Sequence, residues 1–201
     1  DSTSGGSVNR IAHIIRTTHE TSIDLTLDLD SREPSRLETG VGFFDHMLSH
    51  VAKHGDLHLT LVAKGDLHVD EHHLVEDVGI CLGKALLEAV GDKRGIERFG
   101  AGFVAMDEAL ARSVIDLSGR SYLVFHATFS RELIQGFPTE MIREFFQAVA
   151  NEGRMNLHIG LLYGDNAHHQ AEAVFKSFGR ALRQAVRRTG SGEVPSTKGV
   201  L

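Results

Sequence analysis

Apolar and polar residues alternate strictly from Ser22 to Asp30, placing Ile23, Leu25, Leu27 and Leu29 on one face. That two-residue period predicts a half-buried strand. From Gly42 to His54 the spacing becomes helical, through Phe43, Phe44, Met47, Leu48 and Val51. Alternation returns from Asp56 to Val62. A long stripe of Leu74, Val78, Cys81, Leu82, Ala85 and Ala89 then predicts an amphipathic helix over 70–90. Glycines break the pattern from Gly91 to Gly100. The order then recurs. Strands are predicted over 111–117 and 122–129, a helix over 139–151 with Thr139 as N-cap, a strand over 155–161 and a helix over 166–188.

The recurrence is a duplication. The segment from His46 to Gly55 aligns without gaps on that from Glu144 to Gly153, Leu57-His58-Leu59 on Leu157-His158-Ile159, and His72-His73-Leu74-Val75-Glu76 on His168-His169-Gln170-Ala171-Glu172. Such a repeat predicts one structural unit built twice about a pseudo-twofold axis. Each unit is expected to be a small sheet covered by two helices, an α+β arrangement. The units are placed at 8–95 and 96–189. A small, polar, disordered tail precedes them (1–7) and a Gly/Ser/Pro-bearing tail follows them (190–201).

Composition narrows the functional classes. The chain has 201 residues, a formal net charge of −6 and no apolar run long enough for a membrane helix. The acidic balance argues against general nucleic-acid binding. One cysteine excludes a disulfide framework or a Cys-based zinc ribbon, and with no signal-peptide core it predicts a cytoplasmic protein. Thirteen histidines are left to explain.

The duplicated His-His-x-x-Glu motif carries the chemistry. Residues four apart share a helix face, so His72 and Glu76 can grip one ion, and His168 and Glu172 can do the same. His73 and His169 lie about 100° further round their helices and are placed to reach a second ion. His46 and Glu144, at matching repeat positions, would complete the two shells, giving eight ligands over two metals. A single such motif is a weak signal; two copies at matching places are a strong one. Imidazole and carboxylate without thiolate suit Mn, Fe, Co, Ni or Zn. Four protein ligands with positions left for substrate favour six-coordinate Mn²⁺ or Fe²⁺ over tetrahedral Zn²⁺. His50 and His54 follow His46 on one helix face and can line the site. His58 and His158 read as structural. His13, His19, His68 and His126 have no metal spacing. A group of Arg98, Arg120, Lys176 and Lys198, with Ser196, would suit a phosphate if it converges. There is no Walker loop, and Gly40-Val41-Gly42 lacks the third glycine of a dinucleotide fingerprint.

Taken together, Phe43-Phe44-Asp45-His46-Met47-Leu48, Glu71 to Asp77, Gly91-Asp92-Lys93-Arg94-Gly95, Met106-Asp107-Glu108, Asp116-Leu117-Ser118-Gly119-Arg120 and His168 to Glu172 resemble the imidazoleglycerol-phosphate dehydratases. The resemblance spans roughly residues 8–201. It implies a hydro-lyase of histidine biosynthesis that converts imidazole glycerol phosphate to imidazole acetol phosphate with two Mn²⁺ ions. It implies a tandem fold with left-handed βαβ crossovers of the ribosomal protein S5 domain 2 type, against the usual hand. It also implies a shell of 24 subunits built from trimers, with sites shared between subunits. One ion would take His46, His73, His168 and Glu172, and the other His72, Glu76, Glu144 and His169. Substrate would meet Glu20 and His54, and its phosphate Arg98, Arg120, Lys176, and Ser196 and Lys198 of the C-terminal tail. Glu144 stands where many members have histidine, and two carboxylates make that ion harder and less Lewis-acidic.

The reaction needs such a site. The proton leaves a carbinol carbon with no carbonyl neighbour, so only the imidazole ring can absorb the charge. Two Lewis acids at its nitrogens would stabilise an imidazolate. The proton carrier is sought among Glu20, His72, Glu76, His168 and Glu172. The alternatives are a dinuclear metal-dependent phosphate-ester hydrolase, with closely spaced ions and phosphate release, and a non-catalytic metal-storage shell.

Overall fold

In the computed structural model, which describes residues 9–66, 68 and 71–201, the chain runs through two copies of one strand-and-helix sequence. The predicted tail over 1–7 and the first residue of the predicted helix at Asp70 lie outside the described residues. The first copy comprises β1 (Ile11–Thr17), β2 (Thr21–Asp28), β3 (Arg36–Glu38), α1 (Gly42–Gly55), β4 (His58–Gly65) and α2 (His72–Val90). The second comprises β5 (Phe99–Met106), β6 (Ala109–Asp116), β7 (Tyr122–His126), a short hairpin of β8 (Leu133–Ile134) and β9 (Phe137–Pro138), α3 (Glu140–Gly153), β10 (Asn156–Tyr163) and α4 (Ala167–Ala185). Sheet orders are β1-β2-β4-β3 and β5-β6-β10-β7. In each sheet a parallel pair flanks a helical crossover: β3 with β4 across α1, and β7 with β10 across α3. Matching elements agree in length. The helices α1 and α3 have 14 residues each, β4 and β10 have 8, and α2 and α4 have 19.

The four helices form a shared layer between the sheets. α2 lies on β1 and β2 while α4 lies on β5 and β6, and the helices pair across the repeat, α1 with α4 and α2 with α3. Glycines permit the close crossings. A Cβ at Gly83 would come within 2.9 Å of the Gly153 nitrogen, and one at Gly179 within 3.1 Å of the Gly55 nitrogen. These two crossings are related by the repeat. The layer is filled by Phe44, Phe137, Phe145, Phe146, Phe175 and Phe178, all essentially inaccessible to water. Each such ring contributes about 1.5–3 kcal/mol through burial.

Several boundaries differ from the sequence pattern. Strand β7 stops at His126 rather than Phe129, and α4 stops at Ala185 rather than Arg188. Thr139 precedes α3 but makes no side-chain cap. Its hydroxyl instead donates to the Arg131 carbonyl at 2.9 Å, bracing the hairpin connection. β1, β3 and β5 carry no clean alternation. On β5 the core-facing positions include Gly100 and Gly102, packed against the carbonyls of Ala181 and Ser177, so the first half of the buried face shows no hydrophobic signal. No helix is long and apolar enough to cross a membrane.

Candidate metal centre

The second and third turns of α1 and the first turns of α4 bring their polar side chains together. Glu172 is 6% exposed. Its Oε1 lies 3.0 Å from His168 Nε2, 3.2 Å from His46 Nε2 and 3.4 Å from His50 Nε2. Its Oε2 accepts from Lys176 Nζ at 3.1 Å. His46, His50 and Glu172 bring ligand atoms within 4.8 Å of one another, the one such trio among the described residues. Phe43 packs edge-on against the His168 ring at a centroid distance of 5.8 Å and orients it. Three ring nitrogens converging on a buried carboxylate make a donor set suited to a divalent cation with nitrogen and oxygen preferences.

Electrostatics follows from burial. Desolvation pushes the Glu172 carboxyl up, but hydrogen bonds from Lys176 and His168 prevail and hold it at about 2. His50 is pushed down to about 4, first by burial and then by repulsion from His46 and Lys176, against the attraction of Glu172. His54, further along α1 and 6.1 Å from the His50 ring, is also pushed down, mainly by burial.

The Glu172 and His50 shifts are both depressions, so each contributes stability above the group's ordinary pKa that is lost as pH falls. For His50 the window runs from 6.5 down to about 4, and for Glu172 from 4.5 down to about 2. Metal-free protein is therefore expected to lose stability steadily below pH 6.5. Chemical-denaturation midpoints at pH 7, 5.5 and 4.5 read this directly. The His50→Asn variant should flatten the drop above pH 4.5, and an unchanged slope would contradict the assignment.

The counterpart group related by the repeat is more open. His72 Nε2 lies 3.2 Å from Glu76 Oε2 on α2. Glu144 is half-buried on α3, the helix packed against α2, and forms no such trio with His72 and Glu76. The remaining motif histidines turn elsewhere. His73 Nδ1 lies 3.3 Å from Glu20 Oε2 in the β1–β2 turn, buried and without a hydrogen bond. His169 Nδ1 lies 3.0 Å from Glu108 Oε2 in the β5–β6 turn. That contact lowers the Glu108 carboxyl and raises the His169 imidazole, through their hydrogen bond first. Asn166 fixes the same corner: its side chain accepts from the His169 N–H at 3.1 Å, and its own N–H donates to Glu108 at 2.9 Å. A carboxylate on one ring nitrogen of a histidine is the usual way its other nitrogen is presented to a metal. Glu108 occupies the repeat position of Glu20. The duplication offset was the signal that could have paired it with His169.

The candidate phosphate residues do not converge within one chain. Lys176 belongs to the Glu172 cluster. Arg98 stands where β5 begins and α4 ends, with its N–H on the Ala185 carbonyl at 2.9 Å. Its guanidinium grips Asp116 at 2.7 Å and donates to the Pro195 carbonyl at 2.9 Å. That bond ties down the C-terminal segment bearing Ser196 and Lys198. There the Ser196 Oγ accepts from the Lys198 N–H at 3.1 Å. Arg120 is exposed in the loop after β6. His58, read as structural, sits between the Glu33 carbonyl at 3.0 Å and Thr60 Oγ1 at 2.9 Å.

The family model for imidazoleglycerol-phosphate dehydratase matches residues 39–182. The imidazoleglycerol-phosphate dehydratase of Lacticaseibacillus casei is 55% identical over 193 residues, covering 96% of this chain and all of that protein. The Streptococcus mutans protein of the same name is 56% identical over the same shares. Among solved structures, the Staphylococcus aureus dehydratase is similar at a TM-score of 0.81 and 43% identity, covering 89% of this chain and 99% of that one. The Pyrococcus furiosus dehydratase, solved in complex with (S)-C348, is similar at 0.82 and 37%, covering 94% and 100%. With its duplicated βαβ fold and paired His-His-x-x-Glu helices, the chain belongs to the imidazoleglycerol-phosphate dehydratase family, the hydro-lyases of histidine biosynthesis.

Proposed function

We propose that this chain dehydrates imidazole glycerol phosphate to imidazole acetol phosphate at a site holding two Mn²⁺ ions and completed between subunits. The convergence of three imidazole Nε2 atoms on Glu172 carries this reading. One ion takes His46, His168 and Glu172 from one chain and His73 from another. The other takes His72, Glu76 and Glu144, with His169 from another. His73 and His169 stand apart from these clusters, each beside its own carboxylate, as ligands exported to a neighbour would. When bound, the ions supply Lewis acidity at the two ring nitrogens of the substrate.

The chain's own residues do the rest. Loss of water takes a hydroxyl from the ring-attached carbon and a proton from the neighbouring carbinol carbon. The resulting enol tautomerises to the ketone. Glu20, half-exposed beside His73, is placed to accept or deliver a proton there. His54 and Lys176 border the Glu172 cluster and contact substrate. Arg98, Arg120, Ser196 and Lys198 form the anion end that holds its phosphate. With Mn²⁺ and imidazole glycerol phosphate the protein should yield the ketone and no inorganic phosphate. Free phosphate without ketone would establish the hydrolase instead.

Ligands shared between chains link the metals to assembly. The outer sheet faces support a large oligomer, since Ile15 and Phe103 are 66% and 60% exposed at matching positions of β1 and β5. We take the assembly to be 24 subunits built from trimers, in the cytoplasm. Chelation should break it into smaller oligomers, and an unchanged light-scattering mass after verified metal loss would overturn the coupling.

A further inference from the structure

The pseudo-twofold that relates the two units also relates two arginine-bearing ends of the molecule. Arg98 immediately precedes β5, and Arg10 immediately precedes β1. Both make the same backbone bond: the Leu117 N–H donates to the Arg98 carbonyl at 3.1 Å, and the Leu29 N–H to the Arg10 carbonyl at 3.1 Å. Arg120 and Arg32 are each the third residue beyond that leucine. Each guanidinium at the strand start forks onto an aspartate and donates to a distant carbonyl. Arg98 uses Asp116 and Pro195; Arg10 uses Asp30 and Val186.

At the Arg10 end this framework encloses a cavity of about 320 Å³. Four arginines share two carboxylates around it. Arg10 and Arg188 meet Asp30 at 2.7 and 3.1 Å. Arg32 and Arg183 meet Asp56 at 3.1 and 3.7 Å. The cavity is therefore lined by more guanidinium than carboxylate. Arg10, 9% exposed, forms its floor, and its bond to the Val186 carbonyl fits a helix-end role. That role does not account for Arg32 and Arg183. Their side chains are 79% and 54% exposed, yet they converge on one aspartate at the rim of the cavity.

We propose that the cavity bounded by Arg10, Arg32, Arg183 and Arg188 binds a small phosphate-bearing anion, as a second anion site at the end opposite in the repeat to Arg98 and Arg120. Planar guanidinium forks are suited to bidentate contact with phosphate oxygens. The comparison between the two ends rests on the phosphate role given above to Arg98 and Arg120. The surplus of charge around the cavity does not.

The probe is glycerol 3-phosphate, titrated calorimetrically into metal-loaded, assembled protein. Wild type is expected to show two classes of site per chain. The double variant Arg32→Gln/Arg183→Gln should weaken one class at least tenfold while kcat for dehydration is unchanged, and Arg120→Gln should weaken the other. A single class in wild type that only Arg120→Gln removes overturns the proposal, as does a double variant that keeps both classes. If the double variant removes a class and Arg120→Gln removes none, the cavity site stands and the phosphate role of Arg120 fails. Should the double variant not fold, Arg32→Lys/Arg183→Lys keeps the charge and loses the fork, and it should still weaken the class at least tenfold.

Discussion

Glu172→Gln is expected to lower kcat/KM by about a thousandfold or more and to remove about one equivalent of bound metal per chain. A thousandfold loss corresponds to about 4 kcal/mol of transition-state stabilisation. The side chain is buried, faces three ring nitrogens and accepts from Lys176. Glutamine keeps the shape but removes the charge on which the proposed cation site depends. It also leaves the Lys176 ammonium, 18% exposed, without its counter-ion, a change that costs about 3 kcal/mol or more when a buried pair is broken. The metal-free variant should therefore melt below metal-free wild type. Steady-state kinetics, metal analysis of dialysed protein and thermal unfolding read the three effects separately. Full metal content with wild-type kcat/KM would remove Glu172 from the site.

Gly100→Val should abolish folding. A Cβ at position 100 would enter the Ala181 carbonyl and crowd the Ala185 nitrogen at 2.8 Å. Both are backbone atoms of α4, so no rotamer change relieves them, and the helix must lift off the second sheet. The expected loss exceeds about 4 kcal/mol, the range reserved for such mechanisms, against a typical total of about 5–15 kcal/mol. No soluble protein, or a thermal midpoint too low to measure, is the expected outcome. Gly42→Ala is the control: nothing lies within 4 Å of the added Cβ, and the midpoint should not fall.

These two residues also show what could and could not be read from the chain. Glu172 was legible because its spacing to His168 recurs between His72 and Glu76, and helical geometry converts that spacing into a shared face. Gly100 was not legible. At Gly100 and Gly102 its strand buries backbone against backbone, so only Val104 and Met106, half-buried at the far end, mark the core side of β5. From sequence His50 is only a residue that can line the site, since a third imidazole beside His46 and His168 acquires meaning when α4 is laid against α1. Glu108 was visible as part of a motif, but its partnership with His169 depends on the β5–β6 turn folding back over the start of α4.

By itself the sequence determined the repeat, the α+β class, the order of most elements and which side chains are candidate metal ligands. All of these are local, since they depend on periodicity and spacing within one segment. Tertiary structure decided which helices pair across the repeat, where glycine allows their approach, and which candidate ligands meet. It set His46 and His50 on Glu172, and it turned His73 and His169 toward Glu20 and Glu108. It also parted Lys176 from Arg98 at opposite ends of β5. Such distances are fixed by close packing between segments far apart in the chain, and no pattern confined to one segment encodes them.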